Sequence, residues 1–213
     1  MRLDVFYDLL CPFSFLAKRS LDLATARTGA SPAVAYRPFM LHPEFPRAPH
    51  DFAAAFVAKY GEGGRVPMWD AVIERGRAVG IDYRFYDIQH GFNSVDGHRA
   101  VRRAGAEGRG EALLERLFSA FFEECRYLGD LDLLADLAGE VGCDEPAMRD
   151  YLRSDEDLNT IYRLSDEARR DPGVPGVPFH LVDGRPWRAA ETGIAAYEAL
   201  LSGRSAARDF PVT

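Results

Sequence analysis

Cysteine is scarce in this chain, with three residues among 213. A small, odd number argues against a disulfide framework and favours free thiols in a reducing compartment. The N-terminus also lacks the basic, apolar and small-residue regions of a signal peptide, and no apolar run reaches about 18 residues. We therefore expect a cytoplasmic protein with no membrane partner.

Basic residues and cofactor motifs are lacking as well. Lysine and arginine total 26 against 33 aspartate and glutamate, and no basic stripe is present, so we expect no nucleic-acid partner. The chain has no glycine-rich phosphate-binding motif, no G-x-S-x-G elbow, and no histidines or cysteines at metal-ligand spacing. These absences predict no metal site and no tightly bound cofactor.

The periodic segments at the two ends of the chain predict strands and helices in alternation. Near the N-terminus, residues 3–8 and 33–39 predict two strands joined by a helix. A βαβ unit this short favours a parallel pair with a right-handed crossover. Near the C-terminus, strands at 179–182 and 186–189 and a helix at 194–201 make a ββα pattern.

The sequence between these two halves is helical. The clearest segment carries Leu113, Leu117 and Phe121 on one apolar stripe. The helices predicted in this block cover residues 68–79, 95–106, 111–125, 131–141 and 155–169. Such a long helical block between two strand-containing halves is typical of an insertion.

The fold class predicted from this order is α/β. We predict a thioredoxin-like core of βαβ and ββα halves, formed by residues 1–45 and 171–213, with a large all-helical domain inserted at residues 46–170. In open α/β sheets, ligands bind where the carboxyl end of a strand meets the N-terminus of a helix. The first such place in this chain is the junction between the first strand and the first helix.

Cys11 precedes Pro12 at that junction. Proline suits the first helical position, so Cys11 would be the N-cap and would meet the N–H groups of Phe13 and Ser14. These donors, the Ser14 hydroxyl and the helix dipole would stabilise a thiolate and lower its pKa. We therefore predict that Cys11 and Ser14 are catalytic. The alternative is that Cys11 is a small buried hydrophobic residue.

A second motif, Val177-Pro178, opens the strand of the ββα half after a stretch dense in glycine and proline. A cis peptide suits such a stretch, and in a thioredoxin-type core this loop lies opposite the start of the active helix. The Val177 backbone would then be open for pairing with an extended, peptide-like substrate. We predict that Pro12, Phe13, Val177 and Pro178 bind the substrate.

Further polar residues are candidates for the substrate cleft. Asn93 and His98 lie at the start of a predicted helix, and His180 lies in a predicted core strand. His180 would either be a core histidine with a satisfied hydrogen bond or tune Cys11. The charged stretch that contains Arg99 is predicted to be a solvated helix face.

The other two cysteines could resolve a mixed disulfide at Cys11, because the sequence does not show their distance from it. Cys125 continues the apolar stripe of the helix predicted at 111–125, so we expect a packed core thiol. Cys143 lies at a helix end, where we expect a more exposed thiol whose thiolate is disfavoured by acidic neighbours.

The run DVFYDLLCPFSFL at residues 4–16 resembles the DsbA superfamily of thioredoxin-fold proteins, and within it the FrnE-like branch. The segments RPFMLHP at 37–43 and GVPF at 176–179 follow in the order of that branch. The resemblance covers nearly the whole chain. It implies a thioredoxin fold with a helical insertion, thiol-disulfide chemistry at Cys11 and a cis peptide before Pro178.

One position departs from that branch, because Ser14 stands where FrnE-like oxidoreductases usually carry a second cysteine. A single thiol can still attack a disulfide and form a mixed disulfide, which glutathione or a substrate thiol resolves. Our first hypothesis is therefore a thiol-disulfide oxidoreductase that acts on protein or low-molecular-weight thiols and disulfides. Glutathione would be a co-substrate.

Residues 12–17 also resemble kappa-type glutathione transferases and 2-hydroxychromene-2-carboxylate isomerases, which have a serine in the place of Cys11. The second hypothesis is hence a glutathione-dependent isomerase or transferase in which Cys11 and Ser14 position the glutathione sulfur. The third is a redox-inert binding protein with the same fold. Since related proteins often pair, a homodimer is a further expectation.

Overall fold

Both ends of the chain contribute to one sheet in the computed structural model, which describes residues 1–187 and 193–204. Strand β1 (Arg2–Tyr7), helix α1 (Pro12–Thr28) and strand β2 (Ala33–Pro38) form the predicted βαβ unit. The two strands are parallel, as the short crossover predicts. This unit carries the start of α1 to the carboxyl end of β1.

The inserted block is helical except for a two-residue ladder between β3 (His50–Asp51) and β4 (His90–Gly91). Its helices are α2 (Phe52–Tyr60), α3 (Glu62–Arg77), α4 (Val95–Ala106), α5 (Gly110–Phe122), α6 (Leu131–Glu140), α7 (Glu145–Arg153) and α8 (Leu158–Arg170). The predicted helices did not include α2 and α7. Each begins at an aspartate, Asp51 or Asp144, whose carboxylate accepts a hydrogen bond from a backbone N–H of the first turn.

Helix α5 ends earlier than its spacing predicts. The apolar stripe predicted a helix to Cys125, but α5 ends at Phe122 and Cys125 has a φ of 58°. A residue in this left-handed conformation does not continue a right-handed helix, and the N–H of Arg126 turns back to the carbonyl of Ala120. Cys125 therefore packs, half-buried, at the edge of the core instead of lying inside it.

The C-terminal half adds two strands and a helix to the sheet. β5 (Phe179–Val182) pairs antiparallel with β1, and β6 (Arg185–Trp187) pairs antiparallel with β5, so the strand order is β2-β1-β5-β6. Helix α9 (Ile194–Leu201) packs against α1. Residues 188 and 189 of the predicted last strand lie outside the described residues.

The insertion shares a hydrophobic cluster with the end of β1 and the start of α1. Phe15 of α1 stacks on Phe118 of α5 at a centroid distance of 5.1 Å, and both rings are fully buried. Tyr7 at the end of β1 belongs to the same cluster. The insertion is thus packed directly on the residues that precede and follow Cys11. In the described part of the chain, no helix is long and apolar enough to cross a membrane.

Arg99 contradicts the prediction of a solvated charged face on α4. Its side chain is fully buried, and its guanidinium donates to Asp96 and to the carbonyl oxygens of Tyr151, Leu152, Ser154 and Glu156. These carbonyls lie at the C-terminal end of α7 and just beyond it, where carbonyl oxygens lack the i+4 N–H donor of a continuing helix. The planar guanidinium provides several N–H donors for these carbonyl oxygens, which explains why the charged side chain is buried.

Candidate active site

Cys11 is the N-cap residue of α1, and Pro12 occupies the first helical position. The Cys11 backbone is extended, with φ −95° and ψ 109°, and its N–H donates to the Asp8 carbonyl at 3.0 Å. The N–H of Ser14 donates to the Cys11 carbonyl at 3.0 Å. The tight turn after β1 therefore presents the sulfur at the N-terminus of the helix, as the cysteine-proline order predicts.

The Cys11 sulfur faces the second proline motif. Its Sγ donates to the Val177 carbonyl oxygen at 3.3 Å, and the peptide between Val177 and Pro178 is cis, as predicted. β5 begins at the next residue, Phe179, which lies beside Phe6 of β1. The antiparallel pairing of these two strands is what brings the two motifs together across 166 residues of chain.

The prediction of a lowered Cys11 pKa is wrong for the unbound protein. Only 4% of Cys11 is exposed, and this burial raises the pKa of the thiol to about 11. The nearby Asp8 charge adds to the increase, whereas the Ser14 hydroxyl and the N–H groups of Phe13 and Ser14 oppose it. The predicted donors are in place, but desolvation of the thiolate outweighs them.

A cavity of about 240 Å³ opens beside Cys11. Six aromatic rings, from α1, the loop before β3, α2, α3 and the segment before β4, contribute to its wall: Phe13, Phe45, Phe52, Phe56, Trp69 and Phe85. At its edge, Lys59 Nζ lies 3.2 Å from His42 Nε2, and His42 Nδ1 lies 2.8 Å from Glu44 Oε1. Of these rings, only Phe13 was among the candidate site residues, because the other five come from separate segments that only the folded chain assembles.

Asp8 is a further site residue that was not among the candidates. It is fully buried, its Oδ2 accepts from the Leu41 N–H at 2.6 Å, and its N–H lies 3.5 Å from the Ser14 Oγ. Burial opposes the charge, but the neighbouring His98 side chain, the Leu41 N–H and Ser94 lower the pKa of the Asp8 carboxyl overall. An acidic residue three positions before the cysteine, just after a strand, is the sequence signal that could have identified it.

The structure places His98 and Asn93 behind the site and not in the cavity beside Cys11. His98 Nε2 lies 3.5 Å from Asp8 Oδ1, and its buried ring lines a separate cavity of about 580 Å³. Asn93 donates to the carbonyls of Pro43 and Phe45. It therefore holds the loop that lines the cavity without lining it itself.

His180 is a core histidine. Its Nε2 lies 2.8 Å from the Tyr197 Oη, its ring meets Trp187 edge-on, and it does not line the cavity beside Cys11. Burial lowers the pKa of His180 to about 4, so the ring is neutral at pH 7. The suggested roles in tuning Cys11 and binding substrate are not supported by this placement.

The other two cysteines are also unpaired and lie outside the cavity lining. Cys125 Sγ donates to the Arg84 carbonyl at 3.6 Å. Cys143 is buried, which corrects the expectation of an exposed thiol; burial first and then Glu107 raise its pKa. Within the described residues, no group of three or more His, Cys, Asp or Glu side chains is arranged to hold a metal ion.

Several solved structures have this fold. A probable DsbA oxidoreductase from Streptomyces coelicolor matches with a TM-score of 0.82 and 24% identity, over 99% of this chain and 94% of that one. The cytosolic disulfide reductase DsbM from Pseudomonas aeruginosa, solved with GSH, matches with a TM-score of 0.69 and 19% identity, over 96% of this chain and 98% of that one. A 2-hydroxychromene-2-carboxylate isomerase matches with a TM-score of 0.67 and 20% identity, over 95% and 94%. At these identities the similarity shows the fold alone.

The sequence itself matches a family model over nearly its whole length. The model of the DSBA-like thioredoxin domain aligns with residues 2–202, which include both strand-containing halves and the insertion between them. The predicted resemblance to the DsbA superfamily is thereby confirmed. This chain belongs to the DSBA-like thioredoxin domain family.

Proposed function

We propose that this protein is a thiol-disulfide oxidoreductase of the FrnE-like type that acts through one nucleophilic cysteine, Cys11. The observation that carries the proposal is the contact between Cys11 Sγ and the Val177 carbonyl at the N-terminus of α1, beside an open cavity. A sulfur in this place has helix N–H groups to stabilise its charge and a backbone edge to align a substrate.

The first step transfers half of a disulfide to Cys11. In the unbound protein the thiol donates to the Val177 carbonyl, and an extended substrate that pairs with this carbonyl would displace it. The thiol then loses its proton to water, and the thiolate, held by Ser14 and the first turn of α1, attacks one sulfur of the substrate disulfide. The substrate S–S bond breaks, the leaving thiolate takes up a proton, and Cys11 carries a mixed disulfide.

The second step restores Cys11. A thiol of the glutathione class loses its proton and attacks the mixed disulfide, and Cys11 leaves as a thiolate that takes up a proton. The new disulfide is reduced by a second thiol in the same way. In total, one substrate disulfide is reduced to two thiols, and two glutathione thiols are oxidised to one disulfide.

The serine at position 14 limits the reactions that this motif can catalyse. Because a serine occupies the fourth position of Cys11-Pro12-Phe13-Ser14, the motif cannot store an oxidising disulfide. Reduction, isomerisation and removal of glutathione from proteins need only the single thiol. We therefore propose one of these activities on protein or low-molecular-weight disulfides, and not net oxidation.

Glutathione and the cytoplasm belong to the same proposal. DsbM, which shares this fold, is a cytosolic disulfide reductase solved with GSH. The three cysteines of this chain are unpaired in the structure, which suits a reducing compartment. We propose that glutathione resolves the mixed disulfide and that the protein acts in the cytoplasm.

The test is uptake of one glutathione from glutathione disulfide. Wild-type protein is expected to gain one adduct, mapped to Cys11 by peptide mass spectrometry and removed by free glutathione. The rate should increase with pH, because the unbound thiol has a pKa of about 11. Cys11→Ala should abolish the adduct, and Cys143→Ala should retain it. Absence of an adduct on Cys11 at every pH at which the protein is folded would overturn the proposal.

A glutathione-dependent isomerase is the second candidate. The aromatic cavity next to Cys11 and Ser14 favours it, because such a cavity can hold a ring while the adjacent hydroxyl and thiol position the glutathione sulfur. Here Cys11 need not form a disulfide. Glutathione-dependent isomerisation or thioether formation that survives Cys11→Ala would favour this candidate over the first.

A further inference from the structure

The cavity beside Cys11 is apolar on nearly all sides. Phe13, Phe52, Trp69 and Phe85 are among the rings that face it, and Phe52 lies 5.7 Å from Trp69 between ring centroids. The ionisable side chains among its lining residues are those of His42, His50 and Lys59, and His42 and Lys59 contact each other. The interior therefore favours an apolar group and disfavours a charged one.

The size of the cavity limits the group that can enter. An engineered apolar cavity of about 150 Å³ holds one benzene molecule, whereas this cavity measures about 240 Å³. One ring with a short linker to sulfur fits that space. Glutathione would have to place an ammonium and two carboxylates against aromatic walls, at a large desolvation cost, so it is poorly suited to the interior of the cavity.

We propose that the disulfides attacked by Cys11 carry, on the attacked sulfur, a compact apolar group with one ring, and that this group occupies the cavity. This inference rests on the proposed function, since it concerns the substrate of the same thiol. Cys11 is itself part of the cavity wall, so a ring bound inside is one short linker away from the reacting sulfur. The leaving thiol would lie outside the cavity, toward solvent.

The reaction to be tested is the first half of the cycle. The Cys11 thiolate attacks a disulfide R–S–S–R′, the S–S bond breaks, Cys11 becomes joined to R–S, and R′–S⁻ leaves and takes up a proton. Benzyl 2-hydroxyethyl disulfide and bis(2-hydroxyethyl) disulfide are suitable probes. Both are neutral and both release 2-mercaptoethanol, but only the first offers a ring to the cavity.

The experiment measures the rate of each mixed disulfide at Cys11 by intact-protein mass spectrometry. Each rate is divided by the rate of the same disulfide with free cysteine at the same pH, which removes intrinsic differences in reactivity. After this correction, wild-type protein is expected to favour the benzylthio adduct by roughly tenfold or more, the effect of burying one apolar group of this size.

Two alanines of α2 provide a matched pair of variants. Ala55 lines the cavity, whereas Ala54, its neighbour on the same helix, is exposed. Ala55→Leu fills part of the cavity and is expected to reduce the preference for the ring to below about threefold. Ala54→Leu makes the same change in composition outside the cavity and should keep the wild-type preference.

The outcomes separate this inference from the proposed function. Equal corrected rates for the two probes in wild-type protein would overturn the inference and leave the proposed function intact. A preference that Ala55→Leu and Ala54→Leu both retain would also overturn it, because the ring would then bind elsewhere. If wild-type Cys11 reacts with neither probe, the proposed function fails and the inference fails with it.

Discussion

The charge on Cys11 depends on neighbours that act in opposite directions. Burial and Asp8 favour the thiol, whereas the Ser14 hydroxyl and the N–H groups of Phe13 and Ser14 favour the thiolate. Desolvation is the largest of these effects, so the Cys11 thiol is protonated at pH 7. Anything that brings a partner for the thiolate or displaces the thiol from Val177 will activate it.

Ser14→Ala is expected to raise the pKa of Cys11 further. A hydrogen bond to a charged group is worth about 1.5–3 kcal/mol, which corresponds to about one or two pKa units. The measurement is the rate of iodoacetamide alkylation at Cys11 against pH, read by peptide mapping. The wild-type profile should still be increasing near pH 10, because the pKa is about 11.

At a fixed pH of about 9, the alkylation rate of Ser14→Ala should be lower than that of wild type by roughly tenfold. Ser20→Ala is the matched control, because Ser20 is also buried in α1 but is not among the groups that shift the Cys11 pKa. An unchanged or faster rate in Ser14→Ala would show that the hydroxyl does not support the thiolate.

His180 is expected to make the protein less stable in acid. Its pKa is about 4 when folded and about 6.5 when unfolded, so between these values the unfolded chain binds more protons. The free energy of unfolding must therefore decrease as the pH falls from about 6.5 toward 4, by roughly 3 kcal/mol from this group. His180→Gln removes the titration and should flatten the dependence. Urea unfolding at several pH values measures it.

His90→Gln serves as the control for this prediction, because His90 is exposed. It should keep the wild-type decrease in stability toward low pH. If His180→Gln loses stability in acid as steeply as wild type does, the neutral buried state assigned to His180 is wrong.

Among the elements, α4 stands out because its first half is entirely buried. Residues 95–101 of α4 are buried, including three with ionisable side chains, Asp96, His98 and Arg99. Arg99 ties α4 to the C-terminal end of α7, and His98 meets Asp8 at the end of β1. The helix thus connects the insertion to the loop that carries Cys11.

Arg99→Lys should destabilise the protein although it preserves the charge. A lysine has no planar fork to satisfy several carbonyls at once, and it leaves buried acceptors unpaired. We expect a loss of roughly 2–4 kcal/mol in the free energy of unfolding. Urea denaturation followed by far-UV circular dichroism measures it.

Arg102→Lys, on the same helix, tests the specificity of this effect. The Arg102 side chain is 49% exposed and pairs with Asp157 at the surface, so its replacement should cost below about 1 kcal/mol. Similar losses in the two variants would contradict the role assigned to the buried guanidinium.

At the scale of the whole molecule, the insertion and the sheet share apolar contacts at the active site. Phe15 and Leu16 of α1 belong to the same cluster as Phe118 and Phe122 of α5. A shared core of this kind couples the two parts energetically, because neither can unfold without exposing the other's apolar surface. We therefore expect one cooperative unfolding transition.

The two tryptophans report on the two parts separately. Trp69 is buried in the insertion and Trp187 is buried against the sheet and α9. In Trp69→Phe and in Trp187→Phe, the fluorescence of the remaining tryptophan and the far-UV circular dichroism should change over the same range of urea. Separate transitions in either protein would show that the insertion unfolds independently.

The local patterns in the sequence predicted the elements that carry the reactive sulfur. Cys11-Pro12 marked the start of α1, and Val177-Pro178 marked the start of β5. Two helices were not predicted. The predicted end of α5 was three residues too late, because the apolar stripe continues to Cys125 although that residue has a left-handed backbone conformation. The spacing of apolar residues indicates which side of a helix is buried, but it does not locate the residue at which the helix ends.

The sequence by itself determined the βαβ and ββα halves with a helical block between them, the position of the single thiol at a helix start, and the absence of a second cysteine in its motif. These follow from backbone rules and residue types that act over a few positions. Only the tertiary structure decided that Cys11 is a buried thiol, that Arg99 is inside, and that rings from distant segments enclose a cavity beside the sulfur. The reason is that desolvation and packing depend on neighbours that are remote along the chain, whereas caps and turns depend on neighbours that are close.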